Sequence, residues 1–324
     1  MSLLDEIKKP IEDSLKEFQP YFKNLMHSKI RLLNFVVNYT LRTKGKQLRP
    51  MLVFLSCRIF GKTTEATMVA ACMIELLHTA SLIHDDVVDE SFYRRGFFSV
   101  FALWKAKIAV LTGDYFLAQG LLVSLKKNQT EILRIVSDAV REMSEGELEQ
   151  LDKADRLNIT EEDYYIIIRK KTGALISACC ETGAFSSGAS KEDVETMKQF
   201  GLLIGTAFQI KDDLFDYQKT GLIGKPKYND IQERKMTLPV IYALSKAGVL
   251  ERKRIIRIFK KRSKSRNDIN EIVNFVMKLG GTDYSNNKMY EFRNQAVSLL
   301  KRFPDNEAKK SMIMLADYIV KRNK

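Results

Sequence analysis

Two clusters of carboxylates dominate the chemistry this sequence can do. Asp85, Asp86 and Asp89 form one Asp-Asp-x-x-Asp pattern, and Asp212, Asp213 and Asp216 form a second, 127 residues later. With 19 Asp among 324 residues, chance supplies only about 0.06 such patterns per chain, so two of them are not a composition effect. On a helix, positions i and i+4 share a face, which pairs Asp85 with Asp89 and Asp212 with Asp216. Like charges at that spacing repel unless a cation sits between them. Neither cluster has a His or Cys partner to suit zinc. All-oxygen sets of this kind fit a hard cation, and magnesium, held by one or two carboxylates plus substrate phosphates, fits best. Taken alone, either cluster reads more readily as a solvated acidic helix end.

What precedes each cluster argues against that bland reading. Ala70, Ile74, Leu77 and Ser81 lie on one helical stripe with Asp85, and Ile204 and Phe208 on another with Asp212. An inward apolar face therefore runs directly into carboxylates, and two such helices facing each other would enclose a greasy cavity with an acidic rim. A diphosphate bound through metal ions would also need cations. Candidates are Lys46 and Arg49 in Gly45-Lys46-Gln47-Leu48-Arg49-Pro50, Arg94-Arg95-Gly96, Lys170-Lys171-Thr172-Gly173, Lys225, and Lys235 before Thr237-Leu238-Pro239. Each of them alone is an ordinary surface charge; their setting among Gly and Pro is what singles them out. His78 lies seven residues before Asp85 on the same stripe, where a buried structural histidine and a ligand contact are both open.

The elements that carry these residues are helices. Gly and Pro together number 22 of 324 residues, and no proline occurs between Pro50 and Pro226, which disfavours a β-rich chain. Breaks are expected near residues 61–64, 126–130, 186–190, 219–230, 263–267 and 280–287. Thr160 with Asp163, and Ser190 with Asp193, read as capping boxes. The expectation is an all-α chain: one domain over residues 1–324, a bundle of ten or more helices around a central cavity. No signal peptide or transmembrane span is expected. The best candidate, 108–125, contains Asp114 and Gln119 and reads as a buried helix. Cys57, Cys72, Cys179 and Cys180 form no Cys-x-x-Cys pair and read as core residues of a reduced, cytoplasmic protein. The net charge is +13, and residues 251–266 hold nine basic side chains against one acid. Such a run suits a solvated face, nucleic acid or an anionic membrane, although no nucleic-acid-binding motif accompanies it.

At His78-Thr79-Ala80-Ser81-Leu82-Ile83-His84-Asp85-Asp86-Val87-Val88-Asp89, with Arg94-Arg95-Gly96, and at Phe208-Gln209-Ile210-Lys211-Asp212-Asp213-Leu214-Phe215-Asp216-Tyr217, the chain resembles the all-trans polyprenyl diphosphate synthases of the isoprenoid synthase family. The wording around the first motif is most similar to that of octaprenyl-type, long-chain members. The resemblance implies the isoprenoid synthase fold, a homodimer, and magnesium-dependent, sequential head-to-tail condensation of isopentenyl diphosphate onto an allylic diphosphate. It implies magnesium at Asp85 and Asp89, with Asp86 in support, and at Asp212 and Asp216, with Asp213 completing the second motif. Arg94, Lys171, Thr172, Gln209, Lys225 and Lys235 would bind the allylic diphosphate, and Lys46, Arg49, His78 and Arg95 isopentenyl diphosphate.

In this family, residues just upstream of the first aspartate close the product tunnel when bulky. Ala80 and Ser81 are small, with Leu77 and Ile74 deeper, which implies an open tunnel and an octaprenyl-range product for a quinone or carrier lipid. Such an apolar product makes peripheral, transient membrane contact sensible. Three features depart from the family pattern: Lys44-Gly45 replaces paired glycines, Gln47 replaces a usual Arg, and Tyr228 stands where Gly is common. The rival readings are a shorter-chain (farnesyl or geranylgeranyl) synthase, a terpene cyclase, which the second aspartate motif disfavours, a non-catalytic partner subunit, and a basic RNA-binding protein.

Overall fold

The structure is a computed structural model that describes residues 3–42, 45–94, 96–156, 159–217 and 228–322. In chain order its α-helices are α1 (Leu3–Lys8), α2 (Glu12–Leu25), α3 (Arg31–Arg42), α4 (Leu48–Phe60), α5 (Glu65–Val88), α6 (Val100–Lys126), α7 (Thr130–Arg156), α8 (Glu161–Ile168), α9 (Ala174–Ser186), α10 (Lys191–Phe215), α11 (Asn229–Gln232), α12 (Leu238–Lys246), α13 (Val249–Phe259), α14 (Arg266–Lys278), α15 (Gly281–Leu299) and α16 (Glu307–Lys321). Among the described residues, sheet is confined to the hairpin of β1 (Tyr93–Arg94) and β2 (Phe97–Phe98), in which Tyr93 pairs with Phe98 and Arg94 with Phe97. The expected all-α class is what forms.

The boundaries follow local chemistry. Thr160 caps α8: its Oγ1 accepts from the Asp163 amide at 3.1 Å while Asp163 accepts from the Thr160 amide at 3.0 Å. The Ser190 hydroxyl accepts from the Asp193 amide at 3.2 Å ahead of α10. Two further capping boxes, at Thr64 for α5 and Ser265 for α14, were not read from the sequence. The break expected at 280–287 shrinks to Leu279 and Gly280, because Ser285 rides on the helix and donates to the Gly281 carbonyl at 2.8 Å.

The chain divides into two compact units. The first comprises Met1–Val140, Leu175–Gly201 and Leu300–Leu315. Its core gathers Phe18, Phe22 and Phe54, with ring centroids 5.3 and 5.8 Å apart, around an α5 that is buried along most of its length. Helix α6 packs closely on α5: the His84 ring lies where a Cβ on Gly113 would stand, and Leu77 lies against Gly120. All four cysteines are free and buried. The sequence reading of 108–125 as a buried helix holds for one side only, since Val110, Leu111, Leu121, Leu122 and Leu125 are each at least 40% exposed.

The second unit comprises Arg141–Ala174, Leu202–Leu299 and Ala316–Lys324. In it α8, α12 and α15 meet through aromatic contacts. Tyr165 packs edge-on to Phe292 at 5.3 Å, Tyr242 stacks on Tyr284 at 3.9 Å, and the Tyr165 and Tyr284 hydroxyls both donate to Glu161.

Candidate active site

In the first unit, the first aspartate cluster sits at the C-terminal end of α5. Asp85 and Asp89 are exposed, and the Asp89 amide donates to the Asp85 carbonyl at 2.8 Å, so the last helical turn holds both carboxylates. Asp86 points inward and is only 2% exposed. Its Oδ1 accepts from Arg94 Nε at 2.7 Å across the start of the hairpin. Burial pushes the Asp86 carboxyl above the usual range, and the Arg94 charge and hydrogen bond oppose that rise. Arg94 is thus anchored by the motif it follows, an arrangement that five-residue spacing alone does not reveal. Arg95 lies outside the described residues.

A cleft of about 720 Å³ opens beside this cluster, lined among others by Glu75, His78, Thr79, Leu82, Asp86 and Arg94. His78 is therefore placed with the motif. The four residues expected to govern chain length are on other faces of α5: Ile74, Leu77 and Ala80 are buried and Ser81 is half-buried. His84 is structural in its contacts, with Nε2 at 3.2 Å from the Val110 carbonyl and 3.5 Å from Asp114. At the start of α4, Lys46 is exposed and Arg49 half-buried, and Gln47 has a left-handed φ of 53°. That loop is where the sequence departs from the family's glycines.

In the second unit, Asp212 and Asp213 close α10 and Asp216 follows it. Asp213 is buried and doubly held: Tyr164 Oη donates to Oδ2 at 2.6 Å and Gln209 Nε2 to Oδ1 at 2.8 Å. Thr172 Oγ1 donates in turn to Gln209 Oε1 at 2.6 Å. Thr172, Gln209 and Asp213 thereby form one hydrogen-bonded chain ending at Tyr164. Burial, and then the charge of Asp230, push the Asp213 carboxyl well above the usual range, while the two donors pull it back. The Asp230 amide donates to Asp216 Oδ2 at 2.7 Å. Asp212 accepts a hydrogen bond from Arg322, whose guanidinium lies 4.0 Å from the centre of the Phe208 ring.

Lys171 sits on a π-helical turn, Arg169–Gly173, and reaches Gln150 at 2.8 Å and Glu147 at 2.5 Å. The turn approaches α7 at Gly146, where an added Cβ would stand 2.9 Å from the Lys171 nitrogen. Such single-turn irregularities recur at functional sites. Lys171, Gln209, Asp213, Asp230 and Lys235 line a cleft of about 510 Å³. Four of those five were singled out from sequence. Asp230, Tyr164 and Arg322 were not: none belongs to a repeated spacing, and each reads as loop, core or tail. Lys225 lies outside the described residues, while Tyr228, where the family favours Gly, has φ +62°.

The donor set fits magnesium. Among the described residues no three His, Cys, Asp or Glu side chains come together as a complete metal cage. Magnesium needs no such cage, since it keeps waters and takes phosphate oxygens beside one or two carboxylates.

Comparison with known proteins agrees with this chemistry. Residues 30–276 match the polyprenyl synthetase family. The chain is 31% identical over 300 residues to octaprenyl diphosphate synthase of Escherichia coli strain K12, covering 92% of this chain and 93% of that one. It is 33% identical over 283 residues, 86% of each chain, to a short chain isoprenyl diphosphate synthase of Methanothermobacter thermautotrophicus. Its fold superposes with a TM-score of 0.92 on a polyprenyl synthase from Caulobacter crescentus complexed with calcium and isoprenyl diphosphate, at 30% identity over 99% of this chain and 98% of that one. The helices form the isoprenoid synthase fold. The chain belongs to the polyprenyl synthetase family and is a prenyltransferase.

Proposed function

We propose that this prenyltransferase condenses isopentenyl diphosphate head-to-tail onto an allylic diphosphate, repeatedly and with magnesium, to give a long-chain, octaprenyl-like polyprenyl diphosphate. The observation that carries the reading is that both aspartate clusters are intact and each ends a helix beside a cleft lined with basic groups. In this reading Asp85 and Asp89, and Asp212 and Asp216, would hold magnesium where a substrate diphosphate binds. Bound there, magnesium neutralises the charge that develops on the departing diphosphate.

The chain's own groups do the rest. Lys171, Gln209, Thr172, Lys225 and Lys235, with Arg94 anchored by Asp86, bind the allylic diphosphate. Their fixed donors favour the transition state over the ground state as the carbon–oxygen bond opens. Lys46, Arg49, His78 and Arg95 hold isopentenyl diphosphate so that its double bond attacks the allylic carbon, after which a proton is lost and the allylic product regenerates. Apolar walls keep water from the cation. The outward apolar row of α6 supports a homodimer, the free buried cysteines agree with a reduced, cytoplasmic enzyme, and the apolar product favours a location peripheral to the membrane. All 324 residues serve one catalytic domain in this reading.

Long product length rests on Ala80 and Ser81. The alternative, a farnesyl- or geranylgeranyl-length product, takes support from the short-chain relative at similar identity. Incubating the pure chain with magnesium, labelled isopentenyl diphosphate and either geranyl or farnesyl diphosphate, then sizing the products, tests both. Products near forty carbons support the long-chain reading, fifteen or twenty carbons the alternative, and no incorporation from either primer removes both.

A further inference from the structure

The basic run at 251–266 takes no part in either cleft, and its geometry is specific. Helix α13 buries Ile255, Ile258 and Phe259 on one face. At 100° per residue this turns Val249, Leu250, Lys253, Arg257 and Lys260 to the opposite side, and all five are exposed. Val249 is 70% and Leu250 84% exposed, so the helix opens with two uncovered branched side chains.

The acids within reach are already engaged. Glu251 pairs with Lys278 at 3.4 Å, Glu271 with Arg254 at 2.6 Å and Asp268 with Lys261 at 2.6 Å. Arg252, Lys253, Arg257, Lys260, Arg262 and Arg266 make no ion pair among the described residues. Lys264 differs: it is buried, its ammonium donates to the Gln232 and Lys261 carbonyls, and it fixes the turn between α13 and α14.

We propose that the outer face of α13 docks the enzyme on an anionic lipid bilayer, with Val249 and Leu250 entering the acyl boundary and Lys253, Arg257 and Lys260 meeting lipid phosphates. An amphipathic helix that combines exposed aliphatics with long-stemmed cations suits the bilayer interface, where the stems lie along apolar surface and the charges reach the headgroups. Nucleic acid fits less well. The only aromatic residue of the run, Phe259, is fully buried, so no base-stacking platform accompanies the charge. The inference goes beyond the condensation reading and does not depend on it.

The test is co-sedimentation of the full chain with vesicles of phosphatidylglycerol and phosphatidylcholine, against phosphatidylcholine alone and against a mixed-sequence oligoribonucleotide in solution. The wild type is expected to partition onto the anionic vesicles only, less so as salt rises. The triple variant Lys253→Glu, Arg257→Glu, Lys260→Glu should partition at least about 100-fold less, three side chains at roughly 1 kcal/mol each. The double variant Val249→Ser, Leu250→Ser should lose vesicle binding severalfold with its charge unchanged. All variants should keep the wild-type melting temperature, since the five side chains are exposed. Failure to bind anionic vesicles, undiminished binding by the triple variant, or RNA binding that is tighter than vesicle binding and indifferent to Val249 and Leu250 would each overturn the proposal.

Discussion

Tyr164→Phe removes a single oxygen from the second aspartate site and leaves the ring. The lost donor serves Asp213 Oδ2 at 2.6 Å, with both residues 4% exposed, so no water stands ready to replace it. A hydrogen bond to a charged group contributes about 1.5–3 kcal/mol, which for a chain of this size lowers the melting temperature by about 2–4 °C. The effect should depend on pH, and its sign is fixed. Burial and Asp230 raise the folded Asp213 above its unfolded value, so the stability it contributes is complete below the unfolded value and is lost as pH rises through the folded one. The Tyr164 hydroxyl favours the ionised form, and its removal raises the folded value further. Melting curves of metal-free wild type and variant, recorded from about pH 5 to about pH 9, should therefore run nearly together at the acidic end and separate towards the basic end. A deficit that is constant across that range, or no deficit, would refute the role given to the buried pair.

Arg94→Ala strands the buried Asp86 carboxylate. Because Arg94 itself is about a third exposed, the loss should be about 1–3 kcal/mol in a denaturant titration, and Asp86→Asn in the same chain should recover much of it. Arg322→Ala frees Asp212 from its internal cation, so calorimetry should show inorganic diphosphate binding at an approximately tenfold lower magnesium concentration, equivalent to about 1.4 kcal/mol for the surrendered pair. An unchanged magnesium requirement would mean that Arg322 and metal do not compete. Ala80→Phe adds a ring where the side chain is fully buried. It should cost about 1–3 kcal/mol of stability and shorten the product to fifteen or twenty carbons while sparing the first condensation, and a wild-type product distribution would remove position 80 from length control.

Much of this site is legible in the sequence because helices preserve spacing. The two aspartate motifs can be placed at the ends of α5 and α10 from residue numbers alone, and Thr160 and Ser190 announce their helices by the acid three positions on. Helical phase is a weaker guide to what a face touches. The stripe through Ile74, Leu77 and Ser81 faces inward as its spacing predicts, yet Leu77 rests on Gly120 of α6, while Glu75, His78, Thr79 and Leu82 border the cleft beside Asp86. Periodicity identifies a face and says nothing of its neighbour. The same limit hid the exposed row of α6, whose leucines read as core because composition cannot distinguish a helix buried all round from one buried on one side. Asp230, Tyr164 and Arg322 reach the second cluster through tertiary packing across 14, 49 and 110 residues, distances over which no local pattern survives. The Gly280 break was misplaced because Ser and Asn suggest loops, whereas Ser285 satisfies its hydroxyl within the helix.

The central claim is that both carboxylate clusters carry the reaction through metal. Its most direct test is the rate of a single condensation at saturating magnesium for Asp85→Ala and Asp212→Ala, with melting curves recorded on the same samples. Both variants should remain folded and lose nearly all turnover. Near-normal turnover in either folded variant would contradict the account.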